Sequence, residues 1–171
     1  MRFFPSKRLI FVLLGLIWFQ LSFLPLFSVG QIKPDFFFMF IVYYAFRIDW
    51  KRVVSLAFLV GLLEDLTTNS FFGLETVSYV GGAILLRFIA IRFERDKLWI
   101  QLASLFCFSW TALILFLVVS TLIQGRFLLN EWGLVKTFLI SAYTTAVGSL
   151  AFPLFEKWLR PALKQKQYEL F

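Results

Sequence analysis

Long uncharged stretches alternate with short polar segments along the chain. The uncharged runs Leu9–Ile32, Leu98–Gly125 and Thr137–Phe155 contain 24, 28 and 19 residues. A helix of about 20 apolar residues is long enough to cross the hydrocarbon core of a membrane. These three runs therefore predict three transmembrane helices.

The middle of the chain is less regular. Phe36–Phe46 and Val53–Leu63 are each 11 residues between charged positions, which is only about 16 Å of helix against a core of about 30 Å. Either both helices extend through their charged ends, or they are short and shielded by the rest of the bundle. The stretch Phe71–Ile91 is long enough to span, with Glu75 near one end and Arg87 near the other.

The pattern predicts an all-α fold, a polytopic membrane helix bundle that forms a single domain. Because the first run is longer than the apolar region of a signal peptide (about 7–15 residues) and no A-x-A-like site follows it, we expect a retained helix. The predicted elements are a basic N-terminus at 1–8, six spans near 9–29, 35–47, 51–66, 72–92, 98–124 and 134–157, and a tail at 158–171.

Composition excludes several functional classes. Hydrophobic residues make up 60% of the chain and charged residues 16%, whereas soluble domains are about 25% charged. The sequence has no His and one Cys, so the usual physiological-pH base, an intramolecular disulfide and a Cys-based zinc site are excluded. No nucleotide-binding or hydrolase motif is present. Catalysis by the commonest routes is therefore disfavoured, and we expect no cofactor and no metal.

The basic residues alternate in step with the six spans. Of the 17 Lys and Arg residues, only Lys33, Arg126 and Lys136 fall on one side, and the other 14 fall in the N-terminus, the second and fourth loops and the tail. Basic residues are enriched in cytoplasmic loops. The distribution predicts a multi-pass protein with both termini in the cytoplasm, and it explains the net charge of +7 without nucleic acid as a partner.

The densest polar segment follows the third span, and it supplies the first candidate site. Ala57, Gly61 and Asp65 are spaced by four residues, so they share one helical face. Small residues on such a face allow another helix to approach closely. Asp65 is then either a polar contact that orients a neighbouring helix or a partner, or a carboxylate at the water interface. Gly73 is expected to let the chain enter the fourth helix.

Two interpretations apply to Pro34 and Asp35, which open the second span. Both residue types are favourable in a first helical turn, so the pair is a helix-start signal. Alternatively, Asp35 lies near Glu64, Asp65 or Glu75 and helps to form an acidic surface. Adjacent helical residues point about 100° apart, so Glu64 and Asp65 are a poor acid–base pair.

Two further side chains lie within apolar runs. Gln20 is inside the first span and is expected to hydrogen-bond to a neighbouring helix. Cys107 is inside the fifth and is expected to be a buried filler.

The order of these motifs resembles the MreD family of bacterial rod shape-determining membrane proteins. The resemblance rests on Gln20 in the first helix, Lys33-Pro34-Asp35 before a short aromatic-rich helix, Gly61-Leu62-Leu63-Glu64-Asp65-Leu66, and Phe72-Gly73-Leu74. Ala57 stands where that family often has a Gly, and it keeps the small-residue pattern.

The resemblance implies a non-enzymatic scaffold of the elongation machinery, the Rod complex, in the bacterial cytoplasmic membrane. MreC is the expected direct partner, with the RodA glycosyltransferase, a class B penicillin-binding transpeptidase and MreB in the same complex. Pro34, Asp35, Ala57, Gly61, Asp65 and Gly73 are expected to support the MreC interface. The family fold is similar to the S component of energy-coupling-factor vitamin transporters, and a small-molecule-binding S component is therefore the alternative function.

Overall fold

The computed structural model describes residues 32–68, 71–92, 97–125 and 130–167, together with Gly15, Trp18, Gln20, Ser22 and Ser28. This part of the chain is all-helical. Its five helices are α1 (Phe36–Ala45), α2 (Trp50–Thr67), α3 (Leu74–Arg92), α4 (Leu98–Gln124) and α5 (Glu131–Gln167).

Five of the six predicted spans coincide with these helices, within a few residues at most boundaries. The first span, 9–29, and the basic N-terminus lie largely outside the described residues, although Gly15, Trp18, Gln20 and Ser22 have helical backbone. Helix α5 runs on to Gln167, so much of the segment predicted as a tail continues the last helix.

Two helices are long and apolar enough to cross a membrane, over Leu98–Ile123 and Glu131–Lys157. Their length and composition agree with the prediction of a membrane protein. The full count of six spans and the likeness to an S component stay predictions.

Helix α1 lies at the centre of the bundle and contacts each of the other four helices. Its side chains from Phe37 to Tyr44 are all buried. Ten residues of helix are about 15 Å long, which is half of a hydrocarbon core of about 30 Å. Of the two alternatives for the short segments, α1 is therefore the short helix that the bundle shields.

Helix α2 takes the other alternative and extends through its charged ends. It includes Lys51 and Arg52 at its start and Glu64 and Asp65 near its end. Its 18 residues give about 27 Å of helix, close to the thickness of the hydrocarbon core.

Specific contacts give the relative directions of the helices. Helix α1 is parallel to the second half of α5, because the Asp35 N–H donates to Thr144 Oγ1 (3.1 Å) and the Tyr43 hydroxyl donates to the Phe155 carbonyl (3.1 Å). Helices α2 and α3 are antiparallel, because the Arg87 guanidinium near the end of α3 lies 4.1 Å from the centre of the Trp50 ring at the start of α2.

The outer surface of α4 corrects one prediction. Cys107 is exposed, whereas Leu105 and Phe108 beside it are buried in the core. The prediction that Cys107 is a buried filler is wrong, because an apolar run in a membrane protein contains both core-facing and lipid-facing positions.

Candidate functional site

The junction between α2 and α3 is built around Asp65, which is buried. Its Oδ1 accepts a hydrogen bond from the Glu75 N–H (2.9 Å), and its Oδ2 accepts from the Thr76 N–H (3.0 Å) and the Thr76 hydroxyl. The first N–H groups of a helix have no partner within that helix. Asp65 therefore caps α3 from the neighbouring helix.

Gly73 explains why this cap comes from another helix. It precedes the first residue of α3 and has a φ of 97°. Residues other than Gly rarely adopt this backbone conformation, because they carry a Cβ atom. A Gly has no side chain that can cap the helix, so the carboxylate of Asp65 takes that role. The expectation that Gly73 admits the chain into the next helix agrees with this turn.

Gly61 lets the two helices approach closely enough for the cap to form. A Cβ atom at this position would lie 2.6 Å from Thr76 Cα and 3.0 Å from Thr76 N. Ala57, one turn earlier, is fully buried. Gly61 of the small-residue face predicted on α2 is therefore packed directly against the start of α3, and Ala57 of that face lies in the core.

The packing defines what this face does in the folded chain. The sequence left open whether Asp65 orients a neighbouring helix or a partner, or is a carboxylate at the water interface. In the structure it is buried and orients the neighbouring helix α3. Gly61 packs against α3 and Ala57 is fully buried, so a partner cannot contact them directly. Their contribution to any interface is to hold α2 and α3 in place.

A second polar cluster lies at the N-terminus of α1. We call it the polar core, and it consists of Gln20, Asp35, Glu64, Tyr79 and Thr144. Asp35 Oδ1 accepts from the N–H groups of Phe37 (2.8 Å) and Phe38 (3.4 Å), which caps α1. The Asp35 N–H is bonded to Thr144 on α5.

Tyr79 joins Asp35 to Glu64 across three helices. Its hydroxyl is 2.8 Å from Asp35 Oδ2 and 3.4 Å from Glu64 Oε2. Gln20 Nε2 donates to the same Glu64 oxygen at 3.3 Å. Both interpretations of Asp35 are therefore correct in part, since it caps its own helix and also shares a hydrogen-bond donor with Glu64.

Three carboxyl groups belong to the polar core or lie beside it. We call Asp35, Glu64 and Glu75 the acidic cluster: the first two share the Tyr79 hydroxyl, and Glu75 lies one turn before Tyr79 in α3. Lys33, which is close to them in sequence, is exposed. Among the described residues, no Lys or Arg nitrogen comes within 4.0 Å of the three carboxylates.

Pro34 is buried immediately before this cluster. It lies between Lys33 and Asp35, leads the chain into α1, and has no polar atom in its side chain.

In the described part of the chain, no group of three or more His, Cys, Asp or Glu residues is placed to hold a metal ion.

Comparison with protein families shows which family the chain belongs to. The family of rod shape-determining protein MreD matches residues 4–165, which is nearly the whole chain. The chain belongs to the MreD family. Comparison with curated proteins and with solved structures finds no match.

Membership of the MreD family confirms the resemblance seen in the motifs. It identifies the chain as a member of a rod shape-determining family, and together with the two apolar helices it indicates a membrane protein. Three motifs carried the resemblance. Residues 33–35 immediately precede α1, residues 61–66 lie in the last turns of α2, and residues 72–74 lead into α3.

Tyr79 and Thr144 are the site residues that sequence reasoning missed. Neither stands in a polar segment, since both lie in apolar stretches of α3 and α5. The available signal was a hydroxyl group in a predicted span, which favours a hydrogen bond to another helix. That signal occurs at many Ser, Thr and Tyr positions of this chain and does not single out these two.

Proposed function

We propose that this chain is a non-enzymatic, multi-pass scaffold of the Rod complex in the bacterial cytoplasmic membrane, with both termini in the cytoplasm. It binds MreC and so helps to control peptidoglycan synthesis during elongation, in a complex with RodA, a class B penicillin-binding transpeptidase and MreB. The observation that carries this proposal is the family match across residues 4–165.

The chemistry of the buried carboxylates favours a scaffold over a catalyst. Both carboxylate oxygens of Asp65 accept hydrogen bonds from the start of α3, and one carboxylate oxygen of Asp35 accepts from the start of α1. Glu64 and Asp65 are adjacent but face different partners, Tyr79 and Thr76. Groups held in this way stabilise helix starts and are not paired for acid–base transfer.

Exposed apolar side chains at the end of α2 and in the following turn are the most accessible place for MreC beside this junction. Leu66, Phe71 and Phe72 are 67%, 54% and 68% exposed. Pro34, Asp35, Ala57, Gly61, Asp65 and Gly73 support that surface from beneath by positioning α1, α2 and α3.

Affinity purification tests the assignment to the Rod complex. The tagged protein is isolated from its own membranes in mild detergent, and the co-purifying proteins are identified by mass spectrometry. Recovery of MreC with RodA and a penicillin-binding protein is the expected result. Recovery of paired ATPase subunits with a coupling membrane protein would replace the scaffold with the S-component alternative.

Site-specific photocrosslinking tests the proposed contact surface. A photoreactive phenylalanine analogue at position 72 is expected to crosslink to MreC. The same analogue at position 132 is the matched control, because Trp132 is 82% exposed and lies at the start of α5, in a different turn. Equal crosslinking from both positions, or crosslinking from position 132 alone, would remove the α2–α3 turn as the contact surface.

A further inference from the structure

The end of the bundle where α2 begins and α3 ends has a basic surface around Trp50. The Arg87 guanidinium lies over the Trp50 ring, 4.1 Å from its centre. Lys51, directly after Trp50 in α2, is exposed. We call Trp50, Lys51 and Arg87 the basic rim, and it joins two antiparallel helices.

The positive charges of the basic rim have no carboxylate of the described residues within 4.0 Å. Asp49, the carboxylate closest in sequence, lies 3.7 Å from Arg52 and offsets that charge instead. A guanidinium stacked on an aromatic ring keeps its N–H groups in its own plane, where they can donate to an anion. The basic rim therefore offers two positive charges and a set of N–H donors to an anionic group.

Exposed apolar side chains continue from the basic rim toward the middle of both helices. Phe58 is seven residues after Lys51 and so shares its face of α2, and Ile84 is one turn before Arg87 in α3. Both apolar side chains are exposed. A positively charged end and an apolar surface are thus adjacent on the outside of the bundle.

The lengths of the two helices place the basic rim relative to a membrane. Helices α2 and α3 have 18 and 19 residues, about 27–28 Å of helix, against a hydrocarbon core of about 30 Å. The prediction that both helices span the membrane therefore puts the basic rim at the boundary between hydrocarbon and head groups. Trp is enriched at that boundary.

We propose that the basic rim binds the head group of an anionic phospholipid, whose acyl chains lie along Phe58 and Ile84. Arg donates two parallel N–H groups to a phosphate, and Lys adds a point charge. A phospholipid carries a phosphate and apolar chains in one molecule, so it matches this surface better than an acidic protein segment does. An anionic head group is favoured over a zwitterionic one, because choline or ethanolamine would bring a positive charge to a basic surface.

Native mass spectrometry of the purified full-length protein in detergent tests the lipid class. Phosphatidylglycerol and phosphatidylcholine with the same acyl chains are titrated separately at constant ionic strength, and the fraction of protein that carries each lipid is measured. Phosphatidylglycerol is expected to bind about 5- to 25-fold more tightly, since each basic residue near an anionic group contributes about fivefold. Equal affinity for the two lipids would overturn the proposal and leave an acidic protein segment as the occupant.

Charge-removing variants locate the binding site. K51Q is expected to weaken phosphatidylglycerol binding about fivefold and to leave phosphatidylcholine binding unchanged. K157Q is the matched control, because Lys157 is also exposed and follows Glu156, which pairs with Arg47 close to the basic rim in sequence. The control is expected to retain the affinity of the unmodified protein. An equal loss in both variants would show that binding follows the general charge of this end of the bundle, and would overturn the site.

R87Q tests the second charge and is expected to lose the preference for phosphatidylglycerol as well. Arg87 also packs on Trp50, so K51Q, which changes an exposed side chain, decides the outcome if R87Q does not fold.

Inorganic phosphate distinguishes a lipid site from a site for a free anion. At a concentration equal to that of phosphatidylglycerol, it is expected not to displace the lipid, because it makes no contact with Phe58 and Ile84. Displacement would overturn the assignment to a lipid. These measurements need no Rod complex component, so their failure is distinct from failure of the proposed function.

Discussion

Asp65 and Gly61 act on the same helix start from the same face of α2. Because Gly61 has no side chain, Thr76 can approach α2 closely. Asp65 then reaches the free N–H groups of Glu75 and Thr76. The two residues are therefore a single structural device, in which close approach and capping depend on each other. Each is testable with a control residue of the same type elsewhere in the chain.

Replacement of Asp65 by Ala is expected to destabilise the protein by about 1–3 kcal/mol, because two backbone N–H groups of α3 and the Thr76 hydroxyl lose their acceptor. The measurement is thermal denaturation in detergent. Asp49→Ala is the control, since Asp49 is the N-cap residue of α2 and makes no side-chain capping hydrogen bond. A loss of stability in the control equal to that of Asp65→Ala would contradict the capping role.

Replacement of Gly61 by Ala is expected to cost about 1–3 kcal/mol, because the added Cβ meets the α3 backbone at 2.6 Å and the helix must shift. Gly15→Ala is the control, since a Cβ there has nothing within 4 Å, and helix propensity favours Ala over Gly. The midpoint of thermal denaturation is expected to fall for the first variant and not for the second. Unchanged stability of Gly61→Ala would show that α3 is not packed against this position.

At the scale of elements, α1 is a half-length helix whose two ends are anchored in different ways. Its N-terminus is held by the polar core. Its C-terminus is held by Arg47, which forms an ion pair with Glu156 of α5 and lies 3.8 Å from the centre of the Tyr43 ring. Ten residues of helix are about half the thickness of a hydrocarbon core. Contacts inside the bundle therefore satisfy the polar groups at both ends of α1.

A double-mutant cycle on Arg47 and Glu156 is expected to show a coupling free energy of about 0.5–3 kcal/mol, because both side chains are partly shielded from solvent. Arg52 and Asp49 are the control pair, which is exposed and 3.7 Å apart, and about 0–1 kcal/mol is expected for it. The cycle compares denaturation of the single and double Ala variants. A coupling no larger than that of the control pair would remove Arg47 as the anchor of α1.

At the scale of the whole molecule, side-chain contacts give the relative directions of two pairs of helices. The contacts of Trp50 with Arg87 and of Asp65 with Thr76 make α2 and α3 antiparallel, and α1 is parallel to α5. The side of the membrane on which each loop lies stays a prediction. The packing leaves exposed apolar side chains such as Phe88, Leu122 and Leu150 around the outside, where lipid is the matching solvent.

Reporter fusions test the predicted orientation. Green fluorescent protein fused after Phe171 is expected to fluoresce, because the basic tail is predicted to lie in the cytoplasm. Alkaline phosphatase inserted at Ser70 is expected to be active, because the third loop contains no Lys or Arg and is predicted to face outward. The control is the exchanged pair, with alkaline phosphatase after Phe171 and green fluorescent protein at Ser70. Activity of these two fusions in place of the first two would contradict the predicted orientation.

The sequence by itself determined the helical class, the positions of α2 to α5 and the residues of the α2–α3 junction. These features depend on hydrophobic runs and on the four-residue spacing of Ala57, Gly61 and Asp65, which are local patterns. The family resemblance was also carried by short contiguous motifs. These features therefore follow from the sequence alone.

Only the tertiary structure decided which partner each polar group meets. The spacing of Ala57 and Gly61 predicts a close approach without naming α3, and Tyr79 and Thr144 lie 44 and 109 residues from Asp35. Whether α1 extends through its charged ends was likewise undecided, because an 11-residue uncharged run fits both a longer helix with snorkelling ends and a short helix shielded by the bundle. Burial among four other helices selects the second, since hydrogen bonds at both ends then replace contact with water.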